Sequence, residues 1–144
     1  MNIELTKDTD VFLNICDKVR ETRDCRIKTN LLFNVMLSGI YEDKTKTYIT
    51  YDNQNLVGCA LLTLQKDMTD SQTLFVVYMF IDRHYPELSG EYMEFIENKA
   101  REWKATKISF TTHRNPKAVI RKYGKYGYQH RCSVIEKILD KEVI

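Results

Sequence analysis

The residues best suited to chemistry lie in the last third of the chain, where Tyr123, Tyr126 and Tyr128 stand among Gly124 and Gly127, downstream of an Asn115-Pro116 pair. A positioned phenol such as that of Tyr123 can donate a proton to a leaving group in general acid catalysis. The same three rings would serve equally as half-buried aromatics filling the gap between a helix and a sheet. A second candidate is the segment Ile81-Asp82-Arg83-His84-Tyr85-Pro86-Glu87-Leu88-Ser89-Gly90-Glu91-Tyr92. Arg83, His84 and the backbone from Leu88 to Glu91 could hold a phosphate, with Ser89 as a helix N-cap; the alternative is a structural loop with no ligand. His84, His113 and His130 lack the spaced carboxylate and nucleophile of a triad. The cysteines at 16, 25, 59 and 132 form no C-x-x-C pair and have no histidine at metal-ligand spacing. Four reduced thiols are expected, with neither a zinc site nor a redox motif.

These groups must be held by elements whose hydrophobic period changes along the chain. A short strand over Ile3 to Leu5 precedes Lys7-Asp8-Thr9-Asp10, a turn and N-cap for a helix carrying Val11, Phe12, Ile15 and Val19. After a polar stretch from Glu21 to Thr29, Leu31, Leu32, Val35, Met36 and Ile40 make a second amphipathic pattern, which Gly39 is expected to end. From Lys46 the period becomes two, and Asp52-Asn53-Gln54-Asn55 turns the chain into a second strand over Leu56 to Leu64. The continuous apolar run Leu74 to Ile81 suits a central strand buried on both faces. Pro86 and Gly90 punctuate a loop, and Tyr92, Phe95, Ile96, Lys99, Ala100 and Trp103 then recur at helical spacing. Lys107 to Thr112 reads as a short strand, Asn115-Pro116 as a helix start leading to Ala118, Val119 and Tyr123, and Tyr128 to Leu139 as one long terminal strand or two short ones.

A length of 144 residues is that of one domain, residues 1–144, with enough apolar surface for one core. The balance of 22 basic against 20 acidic side chains leaves a net charge of +2, which makes nucleic acid an unlikely partner and any anion site local. The cluster Arg114, Lys117, Arg121, Lys122 and Lys125 falls largely on one exposed helix face, a solvated surface or a contact for an acidic partner. The start Met1-Asn2-Ile3-Glu4 has no signal-peptide pattern and no apolar run approaches membrane-spanning length, so no membrane partner and a cytoplasmic location are expected.

The expected order is strand, two helices, hairpin, buried strand, helix, strand, helix, strand: an α/β (α+β) fold with a mixed central sheet flanked by helices. In this order the chain resembles the GNAT (Gcn5-related N-acetyltransferase) superfamily over roughly residues 46 to 139. The hairpin ending in Leu56-Val57-Gly58-Cys59-Ala60 resembles the family's third strand. Asn115, Ala118, Tyr123, Gly127 and Tyr128 resemble its asparagine, alanine, tyrosine and terminal glycine-aromatic pair, with Tyr123 four residues before Gly127 as in the family and one residue later than usual from Asn115. In the family's phosphate loop an Arg or Gln is followed, after two residues, by Gly, one residue, and Gly or Ala. Setting Gly90 at the first glycine puts Glu87 at the basic position and Tyr92 at the second small one, where a carboxylate repels phosphate and a phenol crowds it.

The resemblance implies acetyl-CoA as co-substrate and an amine acceptor. It implies that pantetheine lies along the strand ending in Phe80 and Ile81, where a splay between strands exposes backbone N–H groups, one of them polarising the thioester carbonyl. Arg83, Ser89, Gly90 and Asn115 are the further cofactor-binding candidates, Tyr123 the acid toward the departing thiolate, and the basic cluster a contact for the 3′-phosphate. The acceptor's base is not identified; Asp82, Glu42 and Asp43 are candidates, each also readable as a solvated charge. Three functions stand open: an acyl-CoA-dependent N-acetyltransferase acting on a primary amine; an inactive GNAT-like binding or assembly protein with a protein partner or homo-oligomer; and, last, a nucleic-acid binder. The second would be virion-associated if phage-encoded, since the chain is also similar to small GNAT-like proteins of tailed phages.

Overall fold

In the computed structural model, which describes residues 1–22, 27–42, 44–66, 68–111, 116–131, 135–137 and 139, Asp8 separates the first strand, β1 (Glu4–Thr6), from the first helix, α1 (Thr9–Glu21). The Asp8 side chain accepts the Asp10 N–H at 2.9 Å, satisfying one donor that the first turn leaves without an intrahelical partner. Lys18 and Arg20 in the last turn complement the negative end of the helix dipole. Helix α2 (Thr29–Glu42) follows, and Gly39 lies inside it rather than ending it. Its role is close approach: a Cβ there would meet the Thr45 carbonyl oxygen at 2.1 Å, so only glycine lets α2 lie this close to the strand that follows.

That strand, β2 (Thr45–Asp52), turns through Asn53 at φ 56°, a left-handed conformation that asparagine tolerates, into β3 (Asn55–Lys66). Strand β4 (Gln72–Ile81) and helix α3 (Pro86–Glu102) come next, then β5 (Lys107–Phe110). The sheet runs β1-β2-β3-β4-β5, antiparallel except for the parallel β4–β5 pair, whose connection through α3 is the long crossover that parallel neighbours require. Bonds from the Thr106 N–H and hydroxyl to the Gln72 carbonyl, at 2.9 and 3.2 Å, anchor the start of β5 beside the start of β4.

Both faces of this mixed sheet are covered by helices, which explains why residues 56–62 of β3 are all buried. On one face Phe12, Ile15, Cys16 and Val19 of α1 and Leu32 and Met36 of α2 pack with Ile49, Leu56, Cys59 and Leu61. On the other, α3 buries Leu88, Tyr92, Met93, Ile96 and Ala100, each of the larger side chains contributing about 2 kcal/mol by leaving water. Tyr48 meets Phe95 edge-on there, with ring centroids 4.9 Å apart. Strand β4 departs from the expectation of burial on both faces: Leu74 and Val76 are buried, but residues 77–81 are partly exposed.

These elements make up a first unit, Met1–Thr111; the second is Thr112–Ile144. The second contains α4 (Pro116–Tyr123), which runs into a 3-10 turn over Gly124–Tyr126 and ends at Gly127 with φ 90°. The left-handed value there suits glycine and closes the turn. The expected terminal strand is corrected for the described residues of the stretch from Tyr128 to Leu139, which carry no strand and in which Ile135 and Leu139 are almost fully exposed; residues 132–134 and 138 lie outside the described residues. Cys16 and Cys59 are buried free thiols, while Cys25 and Cys132 lie outside the described residues. Among the described residues no helix is long and apolar enough to cross a membrane.

Candidate functional site

The feature that could receive an extended ligand is the second half of β4. Its pairing with β5 covers only Thr73↔Lys107 to Val76↔Phe110, whereas its pairing with β3 continues to Ile81↔Gly58. Residues 77–81 therefore have a described strand neighbour on one side alone. The register slips at the same point, with Leu61 opposite Tyr78 and Leu62 opposite Val76, leaving Val77 as the extra residue of a bulge. A bulge bends and twists its strand, and the end of the parallel pairing at Val76 separates β4 from β5 beyond that point. The side chains anchor the edge: Tyr78 and Phe80 lie against the α1–α2 cluster, and Met79 and Ile81 stand opposite the small residues Ala60 and Gly58. The Cys59 thiol, opposite Phe80, is pushed up to about 12 by burial, so it stays protonated and is a packing group rather than a nucleophile.

The loop beyond β4 folds back over the end of β3. The Asp82 N–H continues the ladder to the Val57 carbonyl at 2.8 Å. The Asp82 carboxylate accepts the His84 N–H at 2.9 Å and also lies 2.9 Å from His84 Nδ1, and the Tyr85 N–H bonds the Asp82 carbonyl at 3.0 Å. The bond from the His84 N–H, ahead of the contributions of the His84 ring and Lys18, holds the Asp82 carboxyl below the usual carboxylate range. The Tyr85 hydroxyl donates to Asp52 Oδ2 at 2.5 Å, reaching past β3 to the end of β2. That bond, with smaller contributions from burial and from the charges of Asp52, Asp82 and Glu87, raises the Tyr85 phenol above its ordinary value.

Helix α3 starts earlier than the sequence suggests. Pro86, with its fixed φ and missing N–H, takes the first position, and Tyr85 is the N-cap without a side-chain cap bond. Ser89 is thus not the N-cap but the fourth helical residue, and Gly90 the fifth, where an α-helix commits the N–H to the carbonyl four residues back. Leu88 bonds the Tyr85 carbonyl at 3.0 Å. The expected crowding by Tyr92 is also corrected: its ring is fully buried against Gly58 and shares a 2.8 Å hydrogen bond with Thr50, so it points into the core and not into the loop.

Phe80, Ile81, Arg83, Ser89 and Gly90 accordingly gather at one end of the first unit, on β4, its following loop and the first turns of α3, with Arg83 exposed. Tyr123 belongs to the second unit, where its ring meets Tyr128 edge-on at 6.4 Å and Lys122 Nζ lies 5.3 Å from its centroid. Lys125 lies similarly over Tyr126 at 5.2 Å. Asn115, His113, Arg114 and Asp43 fall outside the described residues. Glu42 is exposed and pairs with Lys44 at 3.3 Å, and His130 is exposed. Sequence reasoning missed Asp52 and Tyr85: Asp52 reads as a turn former, and nothing along the chain joins residues 33 apart. Among the described residues no group of three metal-ligating side chains occurs.

The loop offers Arg83 alongside the carboxylates of Asp82 and Glu87 and commits the His84, Tyr85 and Leu88 N–H groups internally. No protein-family profile and no curated protein match the chain. Solved structures do. A predicted acetyltransferase from Clostridium acetobutylicum with acetyl-CoA superposes with a TM-score of 0.73 at 17% identity, covering 96% of both chains. A ribosomal-protein-alanine N-acetyltransferase from Brucella melitensis gives 0.70 at 12% identity over 96% of this chain and 100% of that one. An aminoglycoside N-acetyltransferase in complex with CoA gives 0.75 at 10% identity over 95% and 93%. At such identities the likeness is one of fold.

Proposed function

We propose that this chain, which has the fold of the GNAT acetyltransferases, is an acyl-CoA-dependent N-acetyltransferase that moves an acetyl group from acetyl-CoA to a primary amine of a small molecule or protein. The observation that carries the proposal is the fold itself, together with the end of the β4–β5 pairing at Val76 and the bulge at Val77, where the resemblance puts the pantetheine arm and an N–H directed at the thioester carbonyl. In the reaction the amine nitrogen bonds the acetyl carbon, the carbon–sulfur bond breaks, and the amine's proton leaves. The resemblance gives Tyr123 the task of protonating the sulfur. Phe80 and Ile81 would contribute backbone contacts, Arg83, Ser89 and Gly90 are the candidates for the diphosphate end, and Asn115 is a further cofactor-binding candidate. The neighbours with acetyl-CoA and CoA support the choice of donor.

A second reading has an observation of its own. The carboxylates of Asp82 and Glu87 beside an internally bonded loop favour a GNAT-like binding or assembly protein that no longer holds the donor. Calorimetric titration with acetyl-CoA at moderate salt separates the two. Saturable micromolar binding, followed by acetylation of at least one member of an amine panel, supports the transferase; no detectable binding supports the assembly protein.

A further inference from the structure

The hydrogen bond from Tyr85 to Asp52 does something that packing alone does not require. Tyr85 is the last residue before α3, and its backbone N–H bonds Asp82 while its carbonyl accepts Leu88. It is therefore the point where the turn of residues 82–85 is joined to the first turn of the helix. Its side chain leaves that point and ends on a carboxylate 33 positions away, at the close of β2, with a 2.5 Å bond. Bonds to a charged acceptor are the short, strong ones, and this one is only partly buried, so it fixes a direction more than it fills a volume.

Asp52 is itself fixed. It pairs with Asn55 across the two-residue turn, and Tyr51 before it accepts the Asn14 side-chain N–H at 3.0 Å from α1. Ahead of the helix the loop is tied to the sheet by the bond from the Asp82 N–H to Val57, while the His84 and Tyr85 N–H groups bond Asp82 within the loop itself.

We infer that Asp52 is a positioning residue: through Tyr85 it ties the loop carrying Arg83 and His84 to the end of β2, so that the loop is already ordered when the donor binds beside it. The inference rests on the proposed acetyltransferase activity and deepens it. The mechanism is preorganisation, in which the ordering of residues 82–86 is completed at folding and need not be repeated when the donor binds. Replacing either partner should leave the sheet and core intact and loosen only the loop.

The test uses the full chain as wild type, Asp52→Asn, Asp52→Glu, Tyr85→Phe and the double variant Asp52→Asn/Tyr85→Phe, with acetyl-CoA binding by calorimetry and thermal unfolding in parallel. The expected result is an affinity loss of about tenfold in each of Asp52→Asn and Tyr85→Phe, the fraction of a charge-assisted bond that an ordered loop passes to its ligand. The double variant should lose no more than either single, Asp52→Glu should recover most of the loss, and the melting temperatures should agree with wild type. Amide exchange in residues 83–87 should quicken in the weakened variants. Unchanged affinity in both single variants, losses that multiply in the double, or losses that track the melting temperature would overturn the inference while leaving the acetyltransferase reading in place. Absence of acetyl-CoA binding by the wild type would overturn both.

Discussion

The phenol of Tyr92 and the hydroxyl of Thr50 share a 2.8 Å hydrogen bond inside the protein, and the ring that makes it lies directly over Gly58. Three elements meet there: α3 supplies the ring, β2 the hydroxyl, and β3 the missing side chain. A Cβ on residue 58 would come within 3.0 Å of the Tyr92 ring and 3.1 Å of both its hydroxyl oxygen and Leu88. Gly58 is thus required for close approach, and Tyr92 takes the space it vacates.

Substitution at this contact should be costly in proportion to what is crowded. Gly58→Ala is expected to destabilise by about 1–3 kcal/mol through overpacking, and Tyr92→Phe by about 1 kcal/mol through the lost bond to Thr50. Urea unfolding at neutral pH measures both. A Gly58→Ala variant as stable as wild type would show that α3 can shift away from the sheet.

Gly39 should be less forgiving. Its added Cβ would meet a backbone oxygen, Thr45 O, which cannot rotate away as a side chain can. Gly39→Ala is expected to cost about 3 kcal/mol, and Gly39→Val more. Circular dichroism during thermal unfolding would register the loss as a lowered midpoint.

Catalysis offers a sharper test. If Tyr123 protonates the departing thiolate, Tyr123→Phe should lower kcat by about a hundredfold or more while acetyl-CoA affinity holds. An unchanged rate would remove Tyr123 from the chemistry.

The end of the β4–β5 pairing at Val76 predicts a pattern of amide exchange. Residues 73–76, paired on both sides, should exchange slowly, and residues 77–81 should include faster sites that acetyl-CoA protects. Protection that spares residues 77–81 would move the donor elsewhere.

Alkaline pH should unfold the protein through its buried phenols. Burial, with a smaller contribution from Glu102, raises Tyr48 to about 12, and burial raises Tyr92 as well. Both values lie above the unfolded value of about 10, so the stability these groups contribute is fully present below about pH 10 and is lost as pH rises through 12. Absorbance at 295 nm should show these two tyrosines ionising last, together with unfolding. In the native protein at pH 8, a water-soluble disulfide reagent should leave the buried Cys16 and Cys59 unmodified, giving at most two reactive thiols among the four.

The sequence by itself determined the order of elements from β1 to α4, because each rests on a local rule, but not the terminal strand expected after them. Asp8 caps a helix, Asn53 accepts a left-handed turn, and the apolar run from Leu74 can only be a strand or a buried helix segment bounded by turn signals. From these the mixed sheet and its helical cover were legible, and so was the likeness to the GNAT fold. The end of the parallel β4–β5 pairing at Val76, the bulge at Val77, the inward turn of Tyr92 and the bond from Tyr85 to Asp52 were not. Each depends on residues brought together from distant parts of the chain. Side chains along a helix advance by about 100° per residue, and the packing of Leu88 and Tyr92 on Gly58 sets which of them face the sheet, sending Tyr92 inward. Tertiary contact alone decides such orientations, because the energies that favour one facing over another arise only once both partners are in place.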